Sequence, residues 1–183
     1  MERRLPEKVV ALSAGLRDAG IGHAFGGALA LAYYAEPRAT VDINLNVSVS
    51  SDRAVEVLAV LEALGAATDV DLALVRRGDW VRVEWDSTDV DVFFAFDEFH
   101  TRAVRASRTV AFAGTQIPIL RGEHLVAFKV AFNRDKDWVD IQAMCQHGGL
   151  DGAEVNRSIA HLYAGSPRRA RRQLRRFGAI NRS

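Results

Sequence analysis

Asp42 and Asn44 stand two residues apart in a run, residues 41–49, that alternates apolar and polar side chains. Such alternation predicts a β-strand, and on a strand residues i and i+2 point to the same face. Asp89 and Asp91 repeat the arrangement in residues 88–94. If the two strands are neighbours, three or four oxygen-bearing groups meet on one patch. Hard divalent cations such as Mg²⁺ take oxygen ligands and keep water and phosphate oxygens in the rest of their shell. Two such metals can activate a hydroxyl and stabilise a leaving pyrophosphate. Gly26-Gly27 follows a short strand and opens a helical run. Backbone N–H groups in such a turn approach a phosphate closely, and a helix N-terminus favours the negative charge. Together these features describe a site for a nucleoside triphosphate with metal. Each is weak alone: a Gly-Gly pair is more often a plain turn, paired strand carboxylates are often a solvated face, and Asp-x-Asp also serves some glycosyltransferases.

The elements that would position these groups are legible in outline. Residues 7–19 carry apolar positions at helical spacing and end at Gly20. A strand over residues 22–25 runs into the glycines, and residues 28–34 read as a buried helix broken at Glu36-Pro37. Ser51 or Asp52 is placed to cap a helix that reaches Leu64 and stops at Gly65. Residues 67–77 fit strand and helix equally. Residues 80–85 and 88–94 form a predicted hairpin through Asp86-Ser87, and residues 109–112 and 115–120 another through Ala113-Gly114. From Gly122 onward the pattern is helical, over residues 123–133, 136–146, 151–163 and 167–177. The fold class is α+β: a small mixed sheet flanked by helices, with residues 1–121 as the α/β core and 122–183 as a C-terminal helical region ending in a basic helix.

The chain has 183 residues, 49% hydrophobic and 26% charged, a globular composition with enough apolar residues for a sizeable core. Its net charge of +1 hides an asymmetry, because residues 168–176 hold six arginines in nine positions. In a helix, Arg168, Arg172, Arg175 and Arg176 share a face, with Arg169 and Arg171 flanking it. Arginines grouped in this way suit phosphate backbones, bound without reading sequence; the plainer alternative is a solvated tail. Cys145 is the one cysteine, so no internal disulfide forms, and its apolar helical setting reads as a buried thiol. No apolar run reaches the ~18 residues of a membrane span, and no signal-peptide core follows the N-terminus, so a cytoplasmic protein without membrane contact is expected. His23, His100, His124, His147 and His161 are scattered without metal-ligand spacing, and Trp80, Trp85 and Trp138 fit a core or cleft wall.

The run FGGALALAYYAEPRATVDINLNV resembles the Gly-Gly plus Asp-x-Asp signature of the DNA polymerase β-like nucleotidyltransferases. Within that group it is similar to the AbiEii/MenT branch, toxins of bacterial toxin–antitoxin systems. The runs TDVDVFFAF and IPILRGEHLVAFKVAFNRDKDWVDIQAM extend the resemblance over roughly residues 20–147. It implies that Gly26 and Gly27 hold a triphosphate, and that Asp42, position 44 and Asp91 are the catalytic metal ligands, with Asp89 as the fallback. It further implies that Lys129 neutralises phosphate charge, and that Lys136 and Asp137 line the helical wall; a surface ion pair or a helix cap is the alternative for those two. The implied substrates are an NTP and the 3′ end of tRNA, with Mg²⁺ (or Mn²⁺) as cofactor, and the implied outcome is a block on translation.

This chain departs from the pattern at Asn44, where the branch has an acid. Three readings stay open: a natural degenerate member, an active enzyme with a neutral ligand, or a replacement made to silence a toxic enzyme. Arg38 is placed to touch phosphate or RNA, or to pair with Glu36. Thr40 is a strand hydroxyl or the site of an inactivating mark from a cognate antitoxin. The expected partners are tRNA and that antitoxin, and the expected state is a monomer. The rival functions are a nucleotidyltransferase for small molecules and a pseudoenzyme that binds RNA or an antitoxin. A glycosyltransferase ranks last, the chain being short for a sugar-nucleotide domain.

Overall fold

Alternating side chains build the sheet that carries the site. In the computed structural model, which describes residues 3–181, strands β1 (His23–Phe25), β2 (Ile43–Val47), β3 (Trp80–Trp85), β4 (Thr88–Phe93), β5 (Arg108–Phe112) and β6 (Thr115–Ile119) form one six-stranded sheet in the order β3-β4-β2-β1-β6-β5. The sheet is mixed: β2 runs parallel to β4 and β1 parallel to β6, and the remaining pairs are antiparallel. On β2, β4 and β3 one set of residues is buried: Ile43, Leu45 and Val47, then Val90 and Val92, then Val81, Val83 and Trp85. The alternate set holds Asn44 and Asn46, Asp89 and Asp91, and Arg82 and Glu84. Ladder register places Asn44 beside Asp91, and Arg82 on the far side of Asp91.

Helix α1 (Leu5–Asp18) packs on β1, β6 and α3 (Ala54–Leu64) through Val9, Leu12 and Leu16, each fully buried. The capping expectation at Ser51 or Asp52 is corrected. Those residues form a 3₁₀ turn, Ser51–Arg53, ahead of α3, and the Ser51 hydroxyl donates to Asp79 at 2.6 Å instead. Gly65 does stop α3, at φ +100°. The ambiguous segment contains helix α4 (Leu72–Gly78), which starts on the Asp71 side chain. Helix α5 (Glu98–Arg105), unforeseen, packs against β1 and β2. Both hairpins turn where the sequence placed them; Ala113 and Gly114 both take positive φ, the geometry that matches strand twist.

Buried Lys8 secures the site hairpin from below. Its Nζ donates to the Trp85 carbonyl at 2.6 Å and the Thr88 hydroxyl at 3.1 Å, and pairs with Asp86 at 3.2 Å.

The chain forms two compact units. One contains the residues up to Leu29 with Ala39–Leu120, and therefore the whole sheet; the other contains Ala30–Arg38 with the chain from Arg121 onward. In the second, α6 (Gly122–Phe132) packs on α7 (Asp135–His147) and α8 (Gly152–Leu162), and α9 (Pro167–Ile180) packs on α7 and α8. Among the described residues no helix is long and apolar enough to cross a membrane.

Candidate functional site

The glycine turn is fitted to two asparagines. Gly26 N–H donates to the Asn44 carbonyl at 2.8 Å. Gly27 takes φ +57°, and a Cβ there would lie 2.7 Å from Cγ and Nδ2 of Asn44. A Cβ on Gly26 would lie 2.9 Å from Nδ2 of Asn46 and 3.3 Å from Leu120. Side chains at 44 and 46 therefore fill the space that any residue larger than glycine would need. Helix α2 (Gly27–Leu31), which follows, has five residues and gives way to a turn at 32–34, shorter than the buried helix expected over residues 28–34.

Asp42 precedes the first paired residue of β2 and is half-buried. The Thr40 hydroxyl accepts from the Asp42 N–H and donates to the Asp42 carbonyl, both at 3.2 Å, which fixes the backbone where the carboxylate leaves the chain. Asp91 lies beside Asn44 with its side chain 11% exposed. Both of its oxygens are taken by Arg82: Nε donates to Oδ1 at 2.7 Å and an Nη donates to Oδ2 at 2.9 Å. The other Nη lies 3.1 Å from Asp89. The hydrogen bonds and charge of Asp91, then the charges of Asp89 and Asp42, raise the Arg82 pKa further above its already high value. Arg82 was not foreseen as a site residue, although a signal existed. Counting back from a two-residue turn at Asp86-Ser87 sets 85 opposite 88, and by the same step 82 opposite 91.

The donor set of Asp42, Asn44 and Asp91 is all oxygen, which suits a hard cation in type, and the register puts 44 and 91 side by side. It carries two charges instead of three, and Arg82 holds one of them. Among the described residues no three His, Cys, Asp or Glu side chains group as a metal site. In donor type these residues fit a divalent cation, on condition that Arg82 gives up Asp91.

The remaining predicted site residues lie in the second unit. Lys129 is buried, and its Nζ donates to Asp140 at 2.6 Å and lies 3.9 Å from Asp137. Arg38 donates to both Asp140 oxygens, at 3.3 and 3.2 Å, and so pairs with Asp140 and not with Glu36. Burial pushes the Asp140 carboxyl up, but Lys129 and then Arg38 outweigh it and hold its pKa below the ordinary value. Asp137 accepts from the Arg134 N–H and guanidinium at the start of α7, a capping arrangement, while Lys136 is exposed. On α9, Ala170, Gln173 and Phe177 face inward, and Arg168, Arg169, Arg171, Arg172, Arg175 and Arg176 are exposed at the surface. The Arg176 guanidinium stacks 4.0 Å over the Trp138 ring. Cys145 is partly buried, and burial pushes its thiol pKa up.

No family model and no curated protein matches the sequence. Solved structures do match. The antibiotic-resistance factor ANT(2'')-Ia in solution superposes with a TM-score of 0.61 at 15% identity, over 91% of this chain and 95% of that one. An antigenic nucleotidyltransferase-like protein from Paracoccidioides brasiliensis gives 0.52 at 15% identity, over 89% and 88%. ANT(2'')-Ia in complex with adenylyl-2''-tobramycin gives 0.51 at 13% identity, over 95% and 97%. At these identities the likeness is one of fold: the chain has the nucleotidyltransferase fold.

Proposed function

We propose that this protein transfers a nucleoside monophosphate from an NTP to the 3′-hydroxyl of an RNA, with tRNA as the acceptor and inhibition of translation as the consequence. The observation that carries the reading is Gly26-Gly27 seated on Asn44, with Asp91 in register on the neighbouring strand of a nucleotidyltransferase fold. The glycine turn, held on Asn44, is the backbone that the triphosphate approaches. Asp91 takes the proton of the attacking hydroxyl. The new bond joins the 3′-oxygen to the α-phosphorus, the bond to the bridging oxygen breaks, and pyrophosphate leaves. Mg²⁺ or Mn²⁺ held by Asp42, Asn44 and Asp91 would supply Lewis-acid stabilisation of the phosphate charge. Asn44 weakens that hold, because ligand charge sets hard-cation affinity.

The α9 arginines supply phosphate contacts for the RNA. Thr40 gives the site a means of control by a cognate antitoxin: a phosphoryl or nucleotidyl group on its hydroxyl would set negative charge beside Asp42 and repel a triphosphate. These roles belong to a soluble toxin of the cytoplasm. A second reading follows from the ANT(2'')-Ia complex with adenylyl-2''-tobramycin: a small-molecule hydroxyl as acceptor.

The test incubates wild type and Asn44→Asp with each α-labelled NTP, Mg²⁺, and either total tRNA or tobramycin. Transfer to RNA that rises by about tenfold or more in Asn44→Asp, as expected for a restored anionic ligand, supports the proposal. Label on tobramycin alone moves the protein to the small-molecule reading. Label on neither acceptor in either protein leaves a nucleotide- or RNA-binding pseudoenzyme and sinks the transfer reading.

A further inference from the structure

Hairpin pairing holds Arg82 directly opposite Asp91, and the guanidinium donates to both carboxylate oxygens at once. Asp91 is nearly enclosed, so removing its counter-ion without replacement would leave an uncompensated buried charge. A divalent cation on Asp91 must draw on the same two oxygens, each of which already accepts from Arg82. The two positive groups therefore compete for that residue, through its oxygens and through their mutual repulsion. Arg82 is itself 47% exposed, and it stands on the polar face of an edge strand, so its head can leave without disturbing the apolar face of the sheet. A guanidinium released there is a planar fork with several donors, matched to a phosphate as well as to a carboxylate.

From this geometry, and resting on the nucleotide reading above, we infer that Arg82 is a phosphate-binding residue held in reserve on Asp91. The metal-bearing nucleotide displaces it from the carboxylate, and the freed guanidinium closes on the triphosphate. No bond is made or broken in this exchange; one counter-ion replaces another. The same exchange keeps free metal off the site until nucleotide arrives with it, since the phosphates offer Arg82 the partner that bare metal does not.

The test uses the full chain and two titrations. In the first, Mn²⁺ is added without nucleotide or RNA to wild type, Arg82→Gln and Arg82→Lys, and bound metal is read by electron paramagnetic resonance. Arg82→Gln should bind Mn²⁺ about tenfold more tightly or better, because Asp91 is no longer occupied by a cation. Arg82→Lys, which keeps the charge that balances Asp91 and so protects the fold, should fall between, because a point charge cannot fork both oxygens. In the second, Mn²⁺ with α,β-methylene ATP or its guanosine, cytidine or uridine counterpart should bind Arg82→Gln about tenfold more weakly than wild type, through loss of the fork. Equal Mn²⁺ affinity in the three proteins overturns the competition, and unchanged analogue affinity overturns the phosphate role. The metal titration contains no NTP and no acceptor. A gain in Mn²⁺ affinity without any transfer would remove the transfer reading and leave the competition standing.

Discussion

At Gly27 the backbone sits at φ +57° with the Asn44 amide packed against Cα, so two penalties coincide there. An alanine would enter left-handed geometry that costs about 1 kcal/mol. Its Cβ would also press on Asn44 at 2.7 Å, and Asn44 belongs to a paired strand that cannot retreat. Gly27→Ala should therefore destabilise the protein by roughly 1–3 kcal/mol, a drop in Tm of about 3–10 °C. Adding Asn44→Gly should recover part of that loss, since the double variant removes the overlap and keeps only the backbone term. Thermal unfolding of the four proteins decides it: a Gly27→Ala protein that melts with wild type, or a cycle with no coupling, would show that the turn is not seated as described. Gly27 was legible from its neighbours in sequence as the turn between a strand and a helix. Its dependence on Asn44 was not, because nothing in a linear sequence says which side chain lies under a turn.

At the level of elements, α9 is the one whose composition most directly forecasts a measurement. Its buried stripe, Ala170, Gln173 and Phe177, leaves the arginines outward. Arg176 is partly committed, stacked on Trp138. Replacing Arg168, Arg169, Arg172 and Arg175 together by alanine should weaken tRNA binding and flatten its salt dependence, by about 0.7 in the log–log slope for each phosphate that is no longer neutralised. Binding curves at several salt concentrations are the check, and a slope identical to wild type would show that α9 does not touch the RNA. Reading this helix from sequence was straightforward because its signal is local. The same holds for the β3–β4 hairpin, where strict alternation and a two-residue turn set both strand and register. Reading failed where the signal was weak or shared. Residues 98–105 are mostly polar and too short for a clear helical repeat, so α5 was missed. The Ala-rich run after Gly27 has strong helix formers, yet α2 stops at Leu31, where a turn takes over. Arg82 was passed over because its partner is nine residues away and across a turn.

Across the whole molecule, acid should unfold the protein in two phases, because two kinds of buried group titrate in different windows. His100 on α5 is fully buried, with its ring edge-on to Phe96 at 5.2 Å. Burial lowers its pKa from 6.5 to about 4, against the opposing pull of Asp97 and Asp79. Burial lowers the pKa of His23 as well. A histidine whose folded pKa is depressed leaves the unfolded chain holding more protons between the two values. Stability is then complete above pH 6.5 and falls as pH drops toward 4, by up to roughly 3 kcal/mol for His100. Asp140 acts lower. Its folded pKa is held below 3.8, so the stability it adds through Lys129 and Arg38 is present above that pH and is lost only as acid protonates it. Tm should therefore decline from pH 6.5 to 4 and decline again below 3.8. In His100→Gln, which cannot titrate, the first decline should shrink to the part due to His23, whatever the variant costs at neutral pH. A wild-type Tm that stays level between pH 6.5 and 4.5 would mean that His100 protonates in place, and that α5 opens to water before the sheet it packs on gives way.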